Sequence, residues 1–179
     1  MKKNELLKFE IINCIFVTAL GFFLHFTYDL SNANKIIGIF SPINESIWEH
    51  LKLVFFPMLI TIMFGYPCLK DTYKNFLLVK TKQALLSQLI IVVFYYTYTG
   101  ILGIDIALVN ITCFIVAIII GHIYSYNKLN NNSTNYNKFS SIILIINTLL
   151  FLLFTFNPPL LNIFKDPVTH TYGIYKYTK

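Results

Sequence analysis

The stretch IALVNITCFIVAIIIGHIY, residues 106–124, runs nineteen residues without a formal charge. At 1.5 Å per residue a helix of that length reaches about 28 Å, close to the hydrocarbon thickness of a bilayer. Its apolar residues cover every face instead of one stripe, so it does not read as a surface helix of a water-soluble domain. In lipid the backbone must satisfy its own hydrogen bonds, which makes the segment a helix. Four further blocks read the same way, at about 9–27, 42–66, 84–102 and 139–156. The expected fold is all-α: a polytopic transmembrane bundle of about five helices, one membrane domain over 1–179, with an extracytoplasmic tail from 157 to 179.

Composition agrees. The 179 residues are 56% hydrophobic and only 12% charged, about half the charge of a soluble domain, and mean hydropathy is +0.63. All 14 basic residues are lysine, and the net charge is +6. The lysines lie scattered between apolar blocks, so no basic stripe points to nucleic acid. Cys14, Cys68 and Cys113 are odd in number and lack metal-thiolate or disulfide spacing. Lysines ahead of the first apolar run imitate a signal peptide, but His25, Tyr28 and Asp29 stand where a small-residue cleavage site would fall. A retained first span is expected.

Lysine placement orients the bundle. Lys2, Lys3 and Lys8 precede the first span, Lys70, Lys74, Lys80 and Lys82 separate the second and third, and Lys128 and Lys138 separate the fourth and fifth. Lys35, Lys52, Lys165, Lys176 and Lys179 fall on the other side. The positive-inside rule then places the protein in the cell membrane with a cytoplasmic N-terminus and an extracytoplasmic C-terminus. Ser41 is expected to cap the second span, with Pro42 at its first position and a kink near Leu53 from Pro57. Residues 99–105, with two glycines, read as a tight hairpin, and the Asn-rich 127–138 as a flexible cytoplasmic loop.

Ionisable residues gather at the outer side: His25, Tyr28 and Asp29, then Glu45, Glu49, His50 and Lys52, with Asp105, Asp166 and His170 added by the hairpin and tail. Charges at membrane depth are costly, so such groups mark paired or functional sites. Glu45, Glu49 and Lys52 at i, i+4 and i+7 would line one helical stripe, with His50 about 100° round from Glu49. His25, Glu45, Glu49 and His50 are therefore expected to line one polar pocket, as candidate catalytic groups and as nitrogen and oxygen ligands of the kind zinc accepts. The plain alternative is structural: carboxylates at a helix N-terminus meeting the dipole, paired with Lys52. Trp48 reads as an interface anchor, Asp105 as a cap for the fourth span and His122 as an interfacial histidine. The tail is expected to fold back over the outer ends of the first two spans.

The run FSPINESIWEHLK at 40–52, with its N-E-S-x-W-E-H core, resembles the signature of an uncharacterised bacterial membrane-protein family of unknown function. His25-x-x-Tyr28 fits the same pattern, as do Pro158-Pro159 and the D-P-x-T-x-x-Y-G tail from Asp166 to Gly173. The resemblance implies the same multi-span fold and no activity. The chain departs from the pattern at His170, where glycine is usual, and at His122, where glutamine is usual.

Two classes of function stand side by side. One is a metal-dependent hydrolase or transferase acting on a lipid or envelope substrate, with a divalent metal such as zinc and no organic cofactor. The other is a carrier of a small solute, ion or proton, or a partner-binding membrane subunit without catalysis. The expected partner is the lipid bilayer and not nucleic acid. Neither a protein partner nor a homo-oligomer can be read from the residues.

Overall fold

The computed structural model describes residues 3–129 and 136–175. They form five long helices: α1 (Lys3–Leu30), α2 (Ile47–Leu69), α3 (Phe76–Leu102), α4 (Ala107–Lys128) and α5 (Asn137–Phe156). Each is long and apolar enough to cross a membrane. Among the described residues there is no strand, only a single antiparallel bridge between Lys165 and Tyr172. Of the Asn-rich segment expected as a loop, 130–135 lies outside the described residues.

Four helices close a ring. α1 packs on α2 and α4, and α3 packs on α2 and α4, while α5 lies outside against α3 and α2. Many side chains on the outer faces are large and apolar, such as Ile12, Phe64, Leu108 and Ile146, as lipid contact requires. The ring interior is dry at mid-height. Val17, Val54, Ala117 and Ile118 are each 0% exposed there and belong to one hydrophobic cluster with Phe55, Met58 and Phe151.

Close approach of α1 and α2 depends on two residues. Pro57 has no N–H to give the Leu53 carbonyl one turn earlier, yet α2 runs on through it. Gly21 of α1 fills the space beside that carbonyl: a Cβ at Gly21 would lie 2.6 Å from the Leu53 oxygen and 2.6 Å from the Phe114 ring. The bare glycine leaves room for the freed carbonyl and for the Phe114 ring.

Helix α2 starts later than expected. Its N-cap is Ser46, extended at φ −68 and ψ 150, with the hydroxyl accepting from the Glu49 N–H. Ser46-x-x-Glu49 is an S-x-x-E capping signature, a second local start beside Ser41-Pro42. Ser41 serves α1 instead. Its hydroxyl donates to the Leu24 carbonyl (2.6 Å) and accepts from the Tyr28 N–H (3.1 Å), bridging the pair that an unbroken helix joins directly. The inserted hydroxyl spans the turn that carries His25. α3 also begins earlier than expected, at Phe76, so Lys80 and Lys82 lie inside it rather than in the connecting loop.

At the far end the hairpin is as expected. Gly103 ends α3 in the left-handed region at φ 68 and donates to the Thr99 carbonyl, a glycine C-cap. The tail folds back over the same end of the bundle. Phe164 stacks 4.9 Å from Trp48, which also meets Phe151 and Phe154, and Ile174 N–H bonds to the Thr155 carbonyl. Trp48 thus docks the tail to α2 and α5 rather than anchoring at the membrane interface alone.

Candidate metal centre

The decisive geometry begins with Ser46. As an extended N-cap it turns the chain just before α2, so Glu45 leaves the helical stripe that sequence spacing assigned to it. His50, on the first turn of α2, places Nδ1 2.9 Å from the Ser46 carbonyl. A carbonyl can only accept, so Nδ1 carries the proton, and a neutral ring presents its lone pair at Nε2. That lone pair lies 3.2 Å from Nε2 of His25 and 3.4 Å from a carboxylate oxygen of Glu45. One ligand atom from each of the three residues falls within 4.8 Å of the others.

This set fits a metal. Bonds of about 2.0–2.2 Å to histidine nitrogen and carboxylate oxygen put tetrahedral ligands roughly 3.4 Å apart, which the 3.2 and 3.4 Å separations match. The Nδ1–H bond to a backbone carbonyl is the outer contact that fixes the tautomer of a ligating histidine. His50 Nε2 and the Glu45 carboxylate are close enough to be bridged by a proton or by a cation. His25 Nδ1 is buried and has no hydrogen-bond partner among the described residues. Glu45 is exposed and His50 half-buried, so an ion can enter from the end of the bundle.

Glu49 does not converge with these three. It points about 100° round α2 from His50, is 2% exposed, and forms an ion pair of 2.5 Å with Lys52. It also accepts from the Ile43 N–H. Lys52 is wholly buried and donates to the Gly38 carbonyl (2.8 Å), the Ser41 carbonyl (3.5 Å) and the Thr155 hydroxyl (2.6 Å). This knot ties the loop over 31–46 to α2 and α5, and that loop carries Glu45. The structural alternative weighed above therefore describes the Glu49–Lys52 pair, and the pocket reading describes the other three.

The triad sits at the rim of a cavity of about 500 Å³ inside the ring. On the α3–α4 side the rim carries Asp105, Tyr95 and Asn110. Asp105 does not cap α4, whose N-cap residue Ile106 makes no side-chain bond. Its carboxylate instead lies within hydrogen-bond reach of Tyr95 (3.1 Å), Tyr98 (2.9 Å) and the Asn110 amide (2.7 Å). Sequence spacing missed this network. Its only trace is Tyr95 and Tyr98 at i, i+3 near the end of α3. Pro167 and Val168 of the tail complete the rim. Asp29 stays exposed outside the site, and Asp166 opens a turn, accepting from Val168 N–H and the Thr169 hydroxyl. His170 is exposed.

A second polar cluster lies at the opposite end of the ring. Glu10 of α1 and Lys80 of α3 pair at 2.7 and 2.8 Å, with Ser125 donating to Glu10 and Gln83 accepting from Lys80. His122 is buried beside them, its Nδ1–H on the Ile118 carbonyl, and is not an interfacial side chain. Glu10 and His25 are fifteen residues apart on α1, about 22 Å along its axis.

Fold and site together define a five-helix bundle of membrane-spanning type with a His–His–Glu cluster at one end. The chain belongs to a family of unknown function (DUF6512), whose model matches residues 1–174. No curated protein matches the chain, and no solved structure matches it either.

Proposed function

We propose that the protein is a multi-pass membrane enzyme in which His25, Glu45 and His50 hold a divalent cation such as zinc. Its activity is hydrolysis or group transfer on a lipid or envelope substrate. The observation that carries this reading is the contact of His50 Nδ1 with the Ser46 carbonyl. It aims Nε2 at the other two ligand atoms, at the rim of a cavity able to hold a substrate. A divalent ion held by these three residues would supply the chemistry of activating a water for attack near neutral pH. Asp105 stands on the facing wall as an acceptor for a proton, oriented by Tyr95 and Tyr98. The carrier reading has less support, because the dry layer at Val17, Val54, Ala117 and Ile118 closes the ring below the cavity.

Metal analysis of the purified protein tests the reading. The expected result is one equivalent of a divalent ion in the wild type, lost on His50→Ala and on Glu45→Gln and kept on Asp29→Asn. A wild type that stays metal-free after incubation with zinc, folded and in lipid, sinks it.

We infer that the His25 end faces outward, with a cytoplasmic N-terminus. Lys80 and Lys52 are buried in ion pairs and so leave the topology count. The remaining lysines still favour the other end, with Lys2, Lys3, Lys8, Lys70, Lys74, Lys82, Lys128 and Lys138 against Lys35, Lys165, Lys176 and Lys179. Reporter fusions at Asn132 and after Lys179 should report opposite sides of the membrane. Reports from one side would remove a span from the topology.

A further inference from the structure

The cavity beneath the triad changes character with depth. At the rim stand His25, Glu45, His50 and Asp105; one to two turns below, the walls are Phe22, Leu53, Ile91, Cys113 and Phe114. From Ala107 at the rim to Phe114 is seven residues of α4, about 10 Å along its axis. The floor is closed. Val17 lies one turn beyond Gly21 on α1 and Ala117 one turn beyond Cys113 on α4, both fully buried. Between α1 and α4, the Phe22 and Phe114 rings meet edge to face at 5.4 Å. The result is a blind apolar slot with a polar, metal-competent mouth, the shape that fits a molecule with a chain at one end and a reactive head at the other.

We propose that the site binds an amphiphile by a medium-length acyl chain, seated in this slot so that its head lies at His25, Glu45 and His50. The depth matches an extended octyl chain, and the closed floor limits how much of a longer chain can enter. A cavity of about 500 Å³ is ordinary for a small-molecule site, and the volume inside a packed bundle has no structural use if left empty. Chains move from lipid into the slot with little hydrophobic gain, since both surroundings are apolar. Selection therefore comes from slot depth and from the head's bonds at the mouth. Pro167 and Val168 of the tail border that mouth, so the tail helps to decide which heads enter. This inference rests on the metal reading for the head's chemistry and on the slot alone for the chain.

The test uses octanoate carrying a terminal diazirine, photolysed with the full-length protein in nanodiscs and mapped by mass spectrometry. Adducts are expected at Cys113, Phe114 and Ile91, to be competed by excess octanoate but not by acetate. Cys113→Phe should cut floor adducts at least tenfold, leaving those on the lipid-facing Leu108 and Ile119 unchanged. Ile91→Phe fills the slot from another helix and should do the same if the first variant folds poorly. Adducts confined to lipid-facing positions, or floor adducts that neither variant reduces, overturn the proposal. Metal content of the same samples separates the two readings. Floor labelling without bound metal sinks only the metal reading, and bound metal without floor labelling sinks only this one.

Discussion

Lys52→Met is expected to destabilise the folded protein by about 3–5 kcal/mol, the usual cost of stranding one member of a buried ion pair. Glu49 would keep its carboxylate in a position 2% exposed, with the Ile43 N–H as its remaining donor from the loop. The loss extends beyond the pair, because the Lys52 ammonium also holds the Gly38 and Ser41 carbonyls and the Thr155 hydroxyl. Without it the loop over 31–46 loses its attachment to α2 and α5. Denaturant titration in detergent reads the stability, and hydrogen exchange of the loop amides, Gly38 and Ile43 among them, reads the local release. Glu49→Gln combined with Lys52→Met should recover much of the stability, since the double variant buries no charge. A single variant as stable as wild type would show that the pair contributes nothing net. Metal affinity should fall with loop order, because the loop carries Glu45, which makes Lys52 a positioning residue for the site.

The second large effect is expected at the other end of the ring. Lys80→Met leaves Glu10, 3% exposed, with the Ser125 hydroxyl as its remaining side-chain donor among the described residues. A loss of about 3–5 kcal/mol follows on the same grounds. Glu10→Gln with Lys80→Met should again be milder than either single change, giving a large coupling in a double-mutant cycle. This cluster differs from the first in what it leaves alone. It lies about 22 Å from His25 along α1, across the dry layer, so metal content at the triad should not change in the folded fraction. A drop in metal affinity on Lys80→Met with the fold intact would mean that the two ends communicate, and the Glu10–Lys80 knot would then be more than a structural lock.

Helix identity was written in composition and block length. Residues 106–124 carry no charge and no amphipathic stripe, and no arrangement of such a segment avoids both lipid and helix. Boundaries were less legible. Ser41-Pro42 and Ser46-x-x-Glu49 are both credible helix starts, and local preference alone does not choose between them. The choice is tertiary: Ser41's hydroxyl is taken by the Leu24 carbonyl and Tyr28 N–H of α1, which leaves Ser46 to begin α2. That shift of five residues took Glu45 out of the helix and set it beside His50.

Residue types and rough location of the candidate site were also readable, because ionisable groups are rare in this chain and four of them cluster on either side of one turn. Their division into two sites was not. His50 and Glu49 are adjacent, and helical geometry sends them about 100° apart, but which one faces the ring interior and which meets α5 depends on helix neighbours distant in sequence. Thr155 reaches Lys52 from 103 positions away, and Lys80 reaches Glu10 from 70. Nothing local announces such partners, since a lysine destined for a buried carboxylate looks the same in sequence as one bound for a loop. The sequence by itself determined that the chain makes apolar helices of membrane-spanning length, because backbone in lipid must bond within a helix or a closed barrel and these blocks lack a barrel's alternation. Only the packed ring decided which carboxylate is neutralised by lysine and which is left facing two histidines, because that assignment is made by contacts between helices.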